Sequence, residues 1–464
     1  MNWLALPWAD YSILMTLVGA LVVASLRDTA QAARITLAVS VAALGCSFGP
    51  WLAYAEGVPP DPEVLRVMWF GRPLFVVDGI SAPLLPLVAL LHALTVLATS
   101  RAKANRMSFG SHLLGEAFRL AIFSCMEPWP LIGLFALGTV PPVIELVRRG
   151  KSIRIYSAHM LAFLILLTLG WLGVEAKTGW GPAALLAAIL IRSGTVPGHL
   201  WVADLFENAT FGSALLYAAP IAGVYAAVRL VLPIAPDWVL QSLGIFSLVT
   251  ALYSAGMAVV QTEARRFFAY FFLSHASLVL VGLELHTPVS LTGALCLWIS
   301  VALSVGGLGL TLRAMEARYG RLSLMEYRGL YDQSPSLAMC FLLTGLGSVG
   351  FPGTLGFVAA DLLIDGAVGA NLWVGVGLLV AGAVNGIAIV RAYLFLFTGT
   401  RHQSSMHLGI TTRERFAVLT LAALILGGGL IPQYGVNDRY LAAEEILKSR
   451  AKSVTDPEPP PSRH

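Results

Sequence analysis

The chain is 464 residues long, 57% hydrophobic and only 12% charged, with a mean hydropathy of +0.76. That balance excludes a soluble globular domain and identifies an all-α polytopic membrane protein. The formal charge of +4 follows from where basic residues sit in the loops, so it is no argument for nucleic acid.

A crossing needs roughly 20 predominantly apolar residues, and that ruler gives about fourteen candidate spans in one transmembrane domain. The domain covers residues 1–436, with span centres near Met15, Ala43, Leu90, Ala121, Ala136, Leu164, Ala187, Gly223, Ser247, Leu278, Leu303, Gly345, Val380 and Leu421. The first apolar stretch follows Asp10 rather than a basic segment, which argues against a cleavable signal. Asp78, just before Gly79 at the start of span three, is placed to cap that helix.

Basic residues cluster in alternate loops: Arg27 and Arg34, then Arg101, Lys103 and Arg106, then Arg148, Arg149, Lys151 and Arg154. Arg265 and Arg266 follow span nine, Arg313, Arg318, Arg321 and Arg328 follow span eleven, and Arg401, Arg413 and Arg415 follow span thirteen. Intervening loops hold only Arg66, Arg72, Lys177 and Arg229. The odd-numbered loops are therefore expected in the cytoplasm, with both termini outside a bacterial inner membrane. The tail, residues 437–464 and ending DPEPPPSRH, lacks the apolar residues that offset ordering and is expected to be disordered.

Spans seven and twelve are irregular. Gly194 and Pro197 interrupt the first, and Gly350, Pro352, Gly353 and Gly356 the second. Broken helices at membrane depth persist only where protein or a water-filled cavity satisfies the freed backbone. Two such breaks suit an inverted-repeat transporter. After the first break come His199, Asp204 and Glu207, either wet loop residues or ion-path groups, since ionisable residues at that depth are functional candidates. His275 offers a structural hydrogen bond or a transport role, and Asp361 a helix cap or an ion ligand. Trp201 reads as a packing or interfacial aromatic.

Gly345, Gly347 and Gly350 match G-x-G-x-x-G but lie inside an apolar span, so they read as small-residue helix packing. Cys46, Cys125, Cys296 and Cys340 are isolated, with no metal or redox spacing. The chain carries no cofactor motif, no metal cluster and no catalytic centre, so any redox chemistry belongs to a partner.

Four segments carry a family resemblance. Phe75 to Pro83 reads FVVDGISAP; Pro197, His199, Trp201, Asp204 and Ser213 follow a P-x-H-x-W-x-x-D and S-A-L-L pattern; Glu263 to His275 reads EARRFFAYFFLSH; Gly350 to Phe357 reads GFPGTLGF. Together, over about residues 75–432, they resemble the antiporter-like membrane subunits of respiratory complex I and Mrp-type cation/proton antiporters. The resemblance implies a proton path of buried groups: a Glu in span five, Lys in spans seven and eight, a His in span eleven and a Lys or Glu in span twelve. This chain departs there. Ala136, Leu137 and Gly138 stand at the Glu, Arg192 at the first Lys, Pro220, Ile221 and Ala222 around the second, Val301 at the His, and Ala360 in span twelve with Asp361 one place on. Arg192 is no proton relay, because a guanidinium stays protonated below pH about 12. It is expected to be a fixed counter-ion to Asp204, Glu207 or a bound anion.

The resulting expectation is an antiporter-like subunit of a larger complex, with a degenerate proton path and a structural or coupling role beside other membrane subunits and a soluble partner. Two alternatives stand beside it. One is the membrane half of an inorganic-carbon accumulating complex with a zinc-containing soluble partner; the other is an autonomous cation or anion transporter.

Overall fold

Each of the predicted centres falls inside a helix of the computed structural model, which describes residues 3–59, 66–99, 108–285, 287–399 and 410–455. In chain order the helices are α1 (Trp8–Ser25), α2 (Thr29–Ala55), α3 (Ser81–Leu97), α4 (Phe109–Ser124), α5 (Pro128–Gly138), α6 (Val140–Arg148) and α7 (Arg154–Glu175). Then follow α8 (Gly181–Ser193), α9 (Leu200–Asn208), α10 (Phe211–Ala218), α11 (Ala222–Ala226), α12 (Asp237–Val260), α13 (Ala264–Glu284) and α14 (Pro288–Tyr319). The last five are α15 (Pro335–Ser348), α16 (Leu355–Ala370), α17 (Leu372–Phe397), α18 (Thr412–Leu430) and α19 (Pro432–Thr455). An antiparallel hairpin, β1 (Met68–Trp69) and β2 (Arg72–Pro73), precedes α3. Arg101, Lys103, Arg106 and Arg401 lie outside the described residues, as does the chain beyond Thr455.

The stretch Phe211–Val231, α13 and α14 form the interior: 94% of each apolar window is buried, against 28% for α7 and 33% for α2 and α17. The outer helices meet lipid rather than water, so exposed Leu161, Ile165 and Leu169 on α7 are in their proper solvent.

Both expected breaks are present, and their backbone groups are met by protein. Gly194 takes φ +72°, a left-handed conformation that ends α8, and its N–H returns to the Ile191 and Leu190 carbonyls. The Val196 N–H donates to Thr250 Oγ1 at 2.9 Å. At the second break Gly350 takes φ +85°, and Thr354 caps α16 by accepting from the Phe357 N–H.

Apolar length alone does not reveal two further interruptions. Span five breaks at Thr139, between α5 and α6, just before Pro141 and Pro142. Span eight breaks between α10 and α11, where Ile221 adopts φ +49°, a strained value for a β-branched residue. The Pro220 carbonyl freed there accepts from Trp298 Nε1 at 2.9 Å, and a π-turn over Ala227–Val231 follows.

The tail departs from expectation. Rather than disorder from Asn437, the chain continues as α19 to Thr455, turned 80° from α18. Arg439, Ala442, Ala443, Ile446 and Arg450 recur at helical spacing and are buried, the amphipathic stripe of a helix lying on a surface. Arg450 fastens the far end, donating to the Leu232 carbonyl at 2.7 Å and to Asp237 Oδ1 at 2.8 Å.

Candidate functional site: a buried acid–base cluster

The first half of the molecule gathers ionisable side chains among α3, α4, α6 and α10. Helical spacing puts His112 and Glu116 on one face of α4, where both are buried, and Arg119 follows one turn after Glu116. Arg119 grips Glu116 Oε2 with Nη2 at 2.8 Å and Nε at 3.2 Å. His92, fully buried on α3, places Nδ1 3.6 Å from that same oxygen. This is too long for a hydrogen bond, and neither His92 nitrogen nor Glu116 Oε1 has a partner.

A second group adjoins it. His112 Nε2 lies 2.9 Å from Ser213 Oγ and 3.9 Å from Glu145 Oε2. Glu145, on α6, accepts the Thr210 N–H at 2.6 Å, while the Thr210 side chain caps α10. The carboxylate therefore sits at a helix N-terminus, where the backbone dipole favours negative charge. His112, Arg119, Glu145, Arg192, Ser213 and Tyr217 line a common cavity. Arg313 of α14 sits nearby in the fold, donating to the Thr95 carbonyl and to Thr99 Oγ1, both at 2.7 Å.

The six residues singled out from sequence do not form one site. Arg192 is buried at the C-terminal end of α8 with its guanidinium 4.5 Å from the Tyr217 ring and 5.6 Å from that of Trp201. The expected pairing with Asp204 or Glu207 is corrected: aromatic faces, not these carboxylates, flank the charge. Asp204 Oδ1 accepts from Asn208 Nδ2 at 2.9 Å, and Glu207 lies 3.8 Å from Arg266 Nε on an open surface. His199 packs against Tyr253 and Tyr270 at the start of α9, its Nδ1 3.3 Å from the Pro197 carbonyl.

His275 lies in the middle of α13 and is fully buried. Nδ1 is 2.9 Å from the Phe271 carbonyl and Nε2 3.1 Å from that of Ser348, at the span-twelve break. Asp361 is no cap, since Thr354 fills that place; it is exposed two turns into α16 and lines one cavity with His275 and Ser348. Asp78 does cap α3, accepting from the Ile80 and Ser81 N–H groups, but it also takes two hydrogen bonds from Arg229. Burial raises the Asp78 carboxyl and the Arg229 pair outweighs it, leaving its pKa below the ordinary aspartate value.

His92, His112, Glu116, Arg119 and Glu145 stand at none of the positions that the family resemblance marks, so that resemblance does not point to them. The signal was there: a His and a Glu four residues apart inside an apolar span form an intramembrane polar face.

The comparisons agree with this architecture. Residues 163–385 match the sequence model described as NADH:quinone oxidoreductase/Mrp antiporter, TM. NADH-quinone oxidoreductase subunit 13 of Thermus thermophilus is 26% identical over 413 residues, covering 81% of this chain and 85% of that protein. A chain of respiratory complex I from Thermus thermophilus superposes with a TM-score of 0.82 at 21% identity, over 95% of this chain and 99% of that one. A chain of the Mrp complex from a Dietzia species gives 0.80 at 19% identity, over 98% and 99%. With its broken spans and buried polar interior, the chain is similar in sequence and fold to the antiporter-like membrane subunits of the NADH:quinone oxidoreductase/Mrp antiporter family.

Proposed function

We propose that this subunit handles protons locally and passes their charge state to a neighbouring subunit, rather than conducting them across the bilayer alone. The observation that carries this reading is the pair His92 and Glu116. Both are fully buried, 3.6 Å apart, and between them three polar atoms lack partners. A purely structural ion pair would satisfy those atoms, because leaving them unpaired is costly. Spare capacity suits a proton or a water that comes and goes.

Toward the second half the ionisable character thins. His275 directs both nitrogens at backbone carbonyls, and Asp361 lies on the exterior. Loss of the lysine in span eight coincides with a break at Pro220 and Ile221. A local site that feels charge, within a complex that includes other membrane subunits, fits this layout. In this reading a soluble partner supplies the driving chemistry, and both termini face outward from a bacterial inner membrane, as the basic loops favour.

The test uses the native complex, purified in mild detergent and reconstituted in liposomes. Glu116→Gln and His92→Gln assemble normally but lower proton movement per turnover several-fold, and wild-type isolated chain collapses no imposed pH gradient. Unchanged coupling in both variants, or a rapid leak through the isolated chain, would overturn the proposal.

A further inference from the structure

A groove on the membrane face runs between α2, α3, α14 and α18 to the first turns of α19. Its walls are apolar, with Phe48, Trp51, Leu87, Leu303, Leu424 and Ile431 among its lining residues. Phe48, Leu424 and Ile431 are themselves exposed, so the groove opens outward to lipid. At the α19 end it meets a charge, Arg439, which lines the groove while being only 5% exposed.

Arg439 makes no hydrogen bond and no ion pair among the described residues. This sets it apart from Arg229, Arg265, Arg318 and Arg450, each of which is paired with a carboxylate. The groups that face Arg439 electrostatically are Cys296, its chain neighbour Asp438, Tyr54 and Asp78. Asp78 is already held through both oxygens by Arg229. A buried guanidinium without a partner is costly, and it is relieved by an anion that reaches it. An apolar trough ending on that cation fits a molecule with an acyl chain and an anionic head.

We infer that this groove is a binding site for an anionic phospholipid, with the phosphate on Arg439 and an acyl chain along the apolar walls. Asp438, which also lines the groove, is placed to accept from the hydroxyls of a glycerol head group. The site is independent of the acid–base cluster, and it ties α19 to the bundle through a bound lipid.

The test is native mass spectrometry of the full-length protein taken from nanodiscs of phosphatidylglycerol mixed with phosphatidylcholine. Wild type retains phosphatidylglycerol in preference to phosphatidylcholine, and Arg439→Gln reduces that retention at least tenfold. Leu424→Trp blocks the trough at an exposed position without touching the cation, so it gives the same loss where Arg439→Gln fails to fold. Inorganic phosphate, added at millimolar levels, neither displaces the lipid nor raises the thermal midpoint; if it does both, the ligand is a free anion and the lipid assignment is wrong. Equal retention of the two lipids by wild type, or undiminished retention by both variants, also overturns it.

Discussion

Asp78 and Arg229, 151 residues apart, meet through two hydrogen bonds of 2.7 Å that tie the start of α3 to the π-turn of span eight. Arg229 Nη2 also donates to Ser81 Oγ at 2.9 Å, and its guanidinium lies 4.9 Å from the Tyr225 ring. The arginine is thus enclosed on several sides, and removing its carboxylate strands a charge. Asp78→Asn is expected to cost roughly 3 kcal/mol, seen as a lower midpoint in thermal unfolding in detergent. Asp78→Asn combined with Arg229→Gln costs less than the sum of the single changes. Strict additivity in that cycle would show that the pair is not coupled.

The same pair sets an acid limb on stability. Because the folded-state pKa of Asp78 is depressed, its contribution is fully present above the unfolded aspartate value of about 3.9 and is lost as pH falls through the lower folded value. Midpoints measured from pH 7 downward therefore stay level for this term until strongly acid pH and then fall. In Asp78→Asn that part of the fall is missing. An identical acid limb in wild type and variant would assign acid sensitivity to other groups.

Arg192 yields a prediction opposite to a counter-ion role. With its guanidinium 4.5 Å from the Tyr217 ring, the coupling between Arg192→Leu and Tyr217→Leu should be roughly 1–2 kcal/mol in a double-mutant cycle. The cycle with Asp204→Asn should be additive. Arg192→Lys keeps the charge but loses the planar face, so it is expected to fall between wild type and Arg192→Leu. Coupling to Asp204 larger than to Tyr217 would restore the ion-pair reading.

Much of this architecture is legible from residues alone, and the reasons differ by feature. Long apolar stretches locate the spans because a bilayer demands them, and Gly194, Pro197, Gly350 and Gly353 mark breaks because helix continuation is unfavourable there. The break at Ile221 carries weaker notice, a lone Pro220, since an isoleucine does not advertise a left-handed backbone. The helix α19 was hidden by its own polarity: overall composition argued for disorder, while the order lies in the stripe from Arg439 to Arg450. The acid–base cluster is a matter of tertiary assembly. His92, His112, Glu116 and Glu145 come from three helices, and only packing shows that they converge.

The break in span twelve supplies a final test by contrasting two glycines. A Cβ at Gly356 would run into the Gly347 carbonyl and come within 3.2 Å of Ser300 Oγ, both on neighbouring helices or the far side of the break. The contact with backbone cannot be relieved by a side-chain rotation, so the two halves of the span must separate. Gly356→Ala is therefore expected to cost roughly 1–3 kcal/mol and to disturb the cavity that His275 and Asp361 line beside it. Gly386, on α17, has nothing within 4 Å of its would-be Cβ. There alanine only improves helix propensity, so Gly386→Ala should stabilise by about 0.5–1 kcal/mol. Thermal midpoints that move in opposite directions bear out the close approach at Gly356, whereas a neutral Gly356→Ala would mean that the break has room to spare.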